Sequence, residues 1–202
     1  MLTVENPLLL ASGSEIRAGL LRNAGVPFKT MPARIDEEAL RQSLRAEGAT
    51  PRDLSDALAE AKARKVSASH PESLTLGCDQ ILSCDGEVLD KPDNQDSAIR
   101  TLSALSGRTH HLFSAAVAYQ HGKPIWRHIG HVRLTMVELP PDYIRSYVST
   151  YWDEIRHCVG CYRLEAEGVR LISHIDGDYF HVLGLPLTEL LTWLRLRGDI
   201  TP

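Results

Sequence analysis

Asp79 is an unusual carboxylate: Leu76, Cys78, Ile81 and Leu82 surround it in a run too apolar to solvate a charge. A carboxylate buried there must be neutralised, ion-paired or metal-bound, because an isolated buried charge is strongly unfavourable. One role is an ion pair with a lysine that holds the fold; the other is chemistry. Two lysines qualify as partners. Lys62 projects from an apolar helical face, and Lys91 follows a turn whose exit Pro92 fixes. Each could also be a snorkelling lysine with a buried stem.

Near the N-terminus, Leu9-Leu10-Ala11-Ser12-Gly13-Ser14-Glu15-Ile16-Arg17 is an apolar run that ends in hydroxyls and a basic residue. A strand ending this way and opening a helix presents unpaired N–H groups to an anion, with Ser14 as N-cap and Arg17 reaching back. The alternative is an ordinary capped strand-to-helix turn. Asp36-Glu37-Glu38 begins another helix, where acids are favoured by the dipole. Taken together, Ser12, Ser14, Arg17, Lys62 and Lys91 supply donors, and Glu37 and Asp79 supply acceptors. A Mg²⁺-dependent site for phosphoanhydride cleavage needs this set: cations for phosphates, carboxylates for a hard metal, and one carboxylate to deprotonate water. Spacing alone does not bring these residues together.

The elements that would position them alternate. Residues 7–12 read as a buried strand, 14–24 as a helix with Leu20 and Leu21 inward and Gly25 as its stop, and 27–31 as a strand. Residues 36–69 are helical in character, broken near Gly48-Ala49-Thr50-Pro51. Ser55 is a plausible cap for the second piece, whose shared face holds Leu54, Leu58, Ala61, Lys62 and Lys65. A strand over 74–82 meets the hairpin signal Asp85-Gly86. Helices are expected over 93–104 and 141–150, a long hairpin from His111 to Val137 turning at Gly122-Lys123-Pro124, a hairpin near Glu167-Gly168, and a terminal helix opened by Pro186. Strands alternating with helices, with several hairpins among them, predict an α/β protein with a mixed sheet. No linker or repeat interrupts residues 1–202, which read as a single domain.

Composition narrows the functional classes. The 202 residues carry a formal charge of −4 with 24% charged and 43% hydrophobic residues, a poor match to a surface built for nucleic-acid backbones. No apolar stretch reaches the ~20 residues of a membrane span, and no basic segment leads into an apolar one at the start. The cytoplasm is therefore the default compartment, with no membrane or nucleic-acid partner expected. Cys158 and Cys161 have zinc-knuckle spacing, but Cys78 and Cys84 are separated by five residues in strand-like sequence. That arrangement favours reduced thiols over a zinc site.

Eight short stretches, in order, resemble the Maf family of nucleoside triphosphate pyrophosphatases: Leu10-Ala11-Ser12-Gly13-Ser14, Ile35-Asp36-Glu37, Leu58-Ala59-Glu60-Ala61-Lys62-Ala63, Gly77-Cys78-Asp79-Gln80, Lys91-Pro92, Leu105-Ser106-Gly107-Arg108-Thr109-His110, Val159-Gly160-Cys161-Tyr162, and Gly177-Asp178-Tyr179 through Gly184-Leu185-Pro186-Leu187. The resemblance implies an elongated mixed α/β fold with a central cleft, often a homodimer. It implies cleavage of a nucleoside triphosphate between its α and β phosphates, with a divalent cation, Mg²⁺ or Mn²⁺. Asp79 matches the proposed base and, with Glu37, the metal site; Ser12, Ser14, Arg17, Lys62 and Lys91 match the phosphate cradle.

Two features place the chain nearer the branch that prefers 7-methyl-GTP than the dTTP and UTP branch. Gln80 stands where the latter usually has Thr, and Glu165 stands in Tyr162-Arg163-Leu164-Glu165 where it has Gln. The Glu165 carboxylate can accept from the N1–H and exocyclic amine of guanine but meets only acceptors at a pyrimidine; its alternative is a solvent-facing hairpin residue. The chain also departs from the family pattern, with Glu15 and Ile16 where Ser-Pro-Arg-Arg is usual and an aromatic is often found at the Ile16 position of the 7-methyl-GTP branch. That departure motivates a second reading, a non-catalytic nucleotide-binding regulator linked to cell division.

Overall fold

The interior run Leu8–Leu10 forms strand β1, and Ser14 starts helix α1 (Glu15–Asn23) by accepting the backbone N–H of Arg17 at its hydroxyl. Gly25, at φ +67°, ends the helix where a side chain would be strained. Strand β2 (Phe28–Thr30) then runs parallel to β1, with Leu8 opposite Phe28, closing a β-α-β unit. A computed structural model describes residues 1–201.

Asp36 caps helix α2 (Glu37–Ala46), and Thr50 with Asp53 forms a reciprocal capping box for helix α3 (Pro51–Ser67), with Pro51 in the first turn. The cap thus lies five residues before Ser55, the expected one. Ser55 is buried within α3 and donates its hydroxyl to the Arg52 carbonyl at 2.8 Å. The buried side of α3 holds Leu54, Leu58, Ala59, Lys62, Ala63 and Val66, whereas Ala61 is half-buried and Lys65 is exposed. The inward stripe is rotated from the expected one because Ala59 and Ala63 pack on the sheet. Their partner is Gly77 of strand β3 (Thr75–Cys84), where an added Cβ would lie 2.1 Å from the Ala59 carbonyl oxygen and 2.5 Å from the Ala63 nitrogen. Only a glycine admits so close a helix-to-strand approach.

Strand β3 pairs with β1 in parallel, Leu9 opposite Thr75, and turns through Asp85 (φ 50°) and Gly86 (φ 85°) into antiparallel β4 (Glu87–Leu89). Helix α4 (Gln95–Leu105), capped by Asn94, leads to β5 (Thr109–Gln120) and β6 (Lys123–Met136). The turn between β5 and β6 falls at His121-Gly122, both at positive φ, one residue ahead of the expected position. Two such residues complete a tight hairpin turn, so Lys123 and Pro124 already belong to β6. Helix α5 (Pro141–Ile155) extends past its expected end, with a non-helical Tyr151 marking a kink.

The hairpin expected near Glu167-Gly168 is instead a 3-10 helix over Glu167–Leu171, followed by β7 (Ile172–Asp176), antiparallel to β6 with Leu134 opposite Ile175. Gly168 is small for a different reason than a turn: a Cβ there would sit 2.5 Å from the Arg163 nitrogen. Helices α6 (Tyr179–Val182) and α7 (Leu187–Leu196) complete the chain, and Pro186 stands at the N-cap of α7.

The seven strands form one mixed sheet in the order β2-β1-β3-β5-β6-β7, with β4 on β3. Helices accompany it, the α/β class expected from the sequence. Two compact units divide the chain: residues 1–80, 113–130 and from Tyr179 onward in one, and 81–112 with 131–178 in the other. The first unit has its core in Leu8, Leu10, Leu21, Leu76, Ala116 and Leu190. In the second, Leu102, Leu105, Leu134, Met136 and Val148 are fully interior. Among the described residues no helix is long and apolar enough to cross a membrane.

Candidate active site

Asp79 and Lys62 are 4% and 8% exposed, and they meet inside the first unit with Lys62 Nζ 2.6 Å from Asp79 Oδ1. The pairing follows from the local packing. Gly77 lets α3 settle onto β3, and Lys62 lies on the same inward stripe as Ala59 and Ala63. Lys62 Nζ is also 3.0 Å from Glu37 Oε2 at the start of α2, so one ammonium joins the two carboxylates. This desolvated ion pair carries charge-assisted hydrogen bonds that offset the loss of water. Asp79 Oδ2 differs from its twin: it is buried with no hydrogen-bond partner, and Arg41 Nη2 lies 4.0 Å from it. A buried carboxylate oxygen without a donor is a place where a ligand proton or cation gains most.

The N-terminal turn is tied to this pair. Arg17 donates through Nη1 to the carbonyl of Cys78 at 3.0 Å and to Ser12 Oγ at 3.2 Å, and through Nε to the carbonyl of Gly184 at 2.8 Å. Its guanidinium therefore clamps the residue next to Asp79, leaving Nη2 for a ligand. Ser12 Oγ accepts the Ser14 N–H at 3.2 Å, and Ser14 Oγ accepts the Arg17 N–H at 3.4 Å. Both serines act as acceptors within the turn, which leaves their hydroxyl protons as donors. Ile16 is half-buried on α1, and Glu15 is exposed.

Gln80 is held within the fold. Its amide nitrogen lies 2.9 Å from Ser114 Oγ and 3.0 Å from the carbonyls of both His181 and Val182. It fixes α6 to β3 by these bonds. Lys91 and Glu165 belong to the second unit. Lys91 is exposed in the loop after β4, beside the buried Pro92, and Glu165 Oε1 accepts from Arg163 Nε at 3.2 Å. The first unit thus gathers Ser12, Ser14, Arg17, Glu37, Lys62 and Asp79 through a connected set of bonds.

Residues 7–197 match the family described as Maf-like protein. The chain belongs to the Maf-like family. A protein of Ruegeria pomeroyi named nucleoside triphosphate pyrophosphatase is 57% identical over 194 residues, 96% of this chain and 98% of that protein. A Roseobacter denitrificans protein of the same name is also 57% identical over 194 residues, covering 96% and 98%. One from Mesorhizobium japonicum, named 7-methyl-GTP pyrophosphatase, is 46% identical over 193 residues, covering 96% of this chain and 97% of its own.

Sequence reasoning missed Arg41 in this Maf-like chain. Glu37 and Arg41 are four residues apart on α2, so they share a face, and that face carries both toward Lys62 and Asp79. The spacing was visible, but nothing local said which face of α2 turns inward. The four cysteines are unpaired, and burial pushes the Cys78 thiol up to about 11 and Cys161 up to about 12. Such thiols stay protonated at neutral pH.

Proposed function

We propose that this protein hydrolyses the α–β phosphoanhydride of a nucleoside triphosphate, releasing nucleoside monophosphate and pyrophosphate. The observation that carries the reading is Asp79, with Oδ1 held by Lys62 and Oδ2 buried without a hydrogen bond. Membership of the Maf-like family and the printed names of its relatives support the same reaction class.

The donor set fits a hard divalent cation. Asp79 and Glu37 supply carboxylate oxygens, the ligands Mg²⁺ and Mn²⁺ prefer, and the orphaned Asp79 Oδ2 is an acceptor in want of a partner. These two residues would hold the cation, which would neutralise charge on the phosphate oxygens.

The chain's own groups do the rest. Lys62 holds Asp79 in place, and the Asp79 carboxylate takes a proton from water as the water oxygen attacks the α-phosphorus. The bond from that phosphorus to the bridging oxygen breaks, and pyrophosphate leaves with the electron pair. Ser12, Ser14 and the N-terminus of α1, with Arg17 Nη2, bind the phosphate oxygens; Lys91 adds a further cation by its Lys91-Pro92 motif.

A purine of the 7-methyl-GTP type is the substrate the side chains favour. Glu165 accepts from N1–H and the exocyclic amine, Gln80 sets specificity through its hold on α6, and Ile16 offers an aliphatic surface to the base. The more distant relatives named 7-methyl-GTP pyrophosphatase support this choice. The protein acts in the cytoplasm, its residues 1–202 form one catalytic domain, and it assembles as a homodimer.

Incubation with a nucleotide panel, Mg²⁺ or Mn²⁺, and product chromatography tests the proposal. Monophosphate plus pyrophosphate, fastest with 7-methyl-GTP, is expected. Nucleotide binding by calorimetry without turnover of any nucleotide would instead support the regulator reading that Glu15 and Ile16 motivate.

A further inference from the structure

Away from the Asp79 pair, the first unit gathers a different kind of ligand set. His128 of β6, His181 of α6 and Glu189 of α7 each present one donor atom, and these atoms lie within 4.8 Å of one another. His181 Nε2 is 3.1 Å from Glu189 Oε2, and His128 Nε2 is 3.8 Å from Glu189 Oε1. No other group of three histidine, cysteine or acidic ligands is so placed among the described residues.

We propose that His128, His181 and Glu189 form a zinc-class metal site, separate from the hard-cation site at Asp79 and Glu37. Two imidazoles and one carboxylate are a Zn²⁺ donor set and a poor one for Mg²⁺, which prefers oxygen ligands. A tetrahedral ion with bonds of about 2.0–2.2 Å draws its donors within about 3.5 Å of each other, a small closure from the present spacing. Three protein ligands leave the fourth position to solvent.

The surroundings hold these ligands in place. A Cβ at Gly130 would lie 2.2 Å from His181 Nδ1, so the glycine two residues past His128 makes the seat for the second imidazole. The His181 carbonyl accepts from Ser114 Oγ at 2.6 Å and from Gln80 Nε2 at 3.0 Å, which fixes its backbone. Thr188 Oγ1 donates to Glu189 Oε2 at 2.9 Å. Outer-shell bonds of this kind orient metal ligands.

Calorimetric titration of the metal-free protein with Zn²⁺ alone tests the proposal, with Co²⁺ absorption as a second readout of coordination. One equivalent should bind, survive millimolar Mg²⁺, and give a tetrahedral Co²⁺ spectrum. H128A and E189Q should each weaken binding more than about tenfold, the lower bound for loss of an outer-shell partner. Circular dichroism checks that both variants are folded, and E189Q keeps the side-chain volume should H128A unfold. D79N and H111A should leave Zn²⁺ uptake unchanged. No uptake by the wild type, uptake by both H128A and E189Q as tight as by the wild type, or uptake lost only in D79N or H111A would overturn the site. None of these outcomes depends on turnover, so failure here is separate from failure of the proposed hydrolysis.

Discussion

Lys62 Nζ stands 2.6 Å from Asp79 Oδ1 and 3.0 Å from Glu37 Oε2, so one buried ammonium fixes two carboxylates from different elements. This creates an asymmetry within Asp79, one oxygen held and the other without a donor.

Asp79→Asn removes the proton acceptor and preserves the shape. Turnover should fall ~10²–10⁴-fold, the usual contribution of a positioned base. Lys62 retains Glu37, so thermal unfolding should change little. A variant that instead unfolds would make Asp79 a structural ion-pair member.

Lys62→Met leaves Asp79 buried, with Arg41 Nη2 4.0 Å from its Oδ2. Removing one partner of a buried pair costs about 3–5 kcal/mol, and urea unfolding should show a loss near that range. Turnover should fall as well, since Asp79 loses the group that holds its carboxylate in place. Wild-type stability in this variant would mean that the pair contributes nothing to the fold.

Gly77→Ala tests how the pair is positioned. Its new Cβ would lie 2.1 Å from the Ala59 carbonyl oxygen, so α3 must move away from β3 and carry Lys62 with it. Stability should fall by about 1–3 kcal/mol or more, as for other overpacked sites, and activity should fall with it. Unchanged activity would separate α3 packing from the site.

His110 predicts a pH dependence of stability in the second unit. Burial pushes its pKa down to about 4, and its Nε2 lies 2.7 Å from the Tyr162 hydroxyl. The folded state holds the ring neutral while the unfolded chain protonates it near 6.5. Its contribution is therefore fully present above pH 6.5 and is lost as pH falls toward 4, by about 3 kcal/mol in all. His110→Gln should flatten the wild-type stability curve between pH 6.5 and 4 in urea titrations. An equal slope in both proteins would remove His110 as the titrating group.

The parts of this architecture visible in the sequence are those set by short-range chemistry. An acid in the apolar run around Asp79 and a lysine on the apolar face at Lys62 each announce burial, and a buried cation and anion have few partners to choose from. Asp85-Gly86 announces its hairpin because both residues tolerate positive φ. The missed features depend on packing between distant segments. Thr50 outcompetes Ser55 as a cap because Pro51 and Asp53 complete its turn, and Gly168 serves a close approach to Arg163 rather than a hairpin. Arg41, His128, His181 and Glu189 are unremarkable in sequence and acquire meaning only when α2, β6, α6 and α7 fold.

Hydrolysis of the preferred nucleotide in ¹⁸O-labelled water shows which phosphorus the attacking water reaches. Attack at the α-phosphorus, with Asp79 taking the proton, places the label in the monophosphate and leaves pyrophosphate unlabelled. Label in pyrophosphate, or release of diphosphate and orthophosphate, would contradict it.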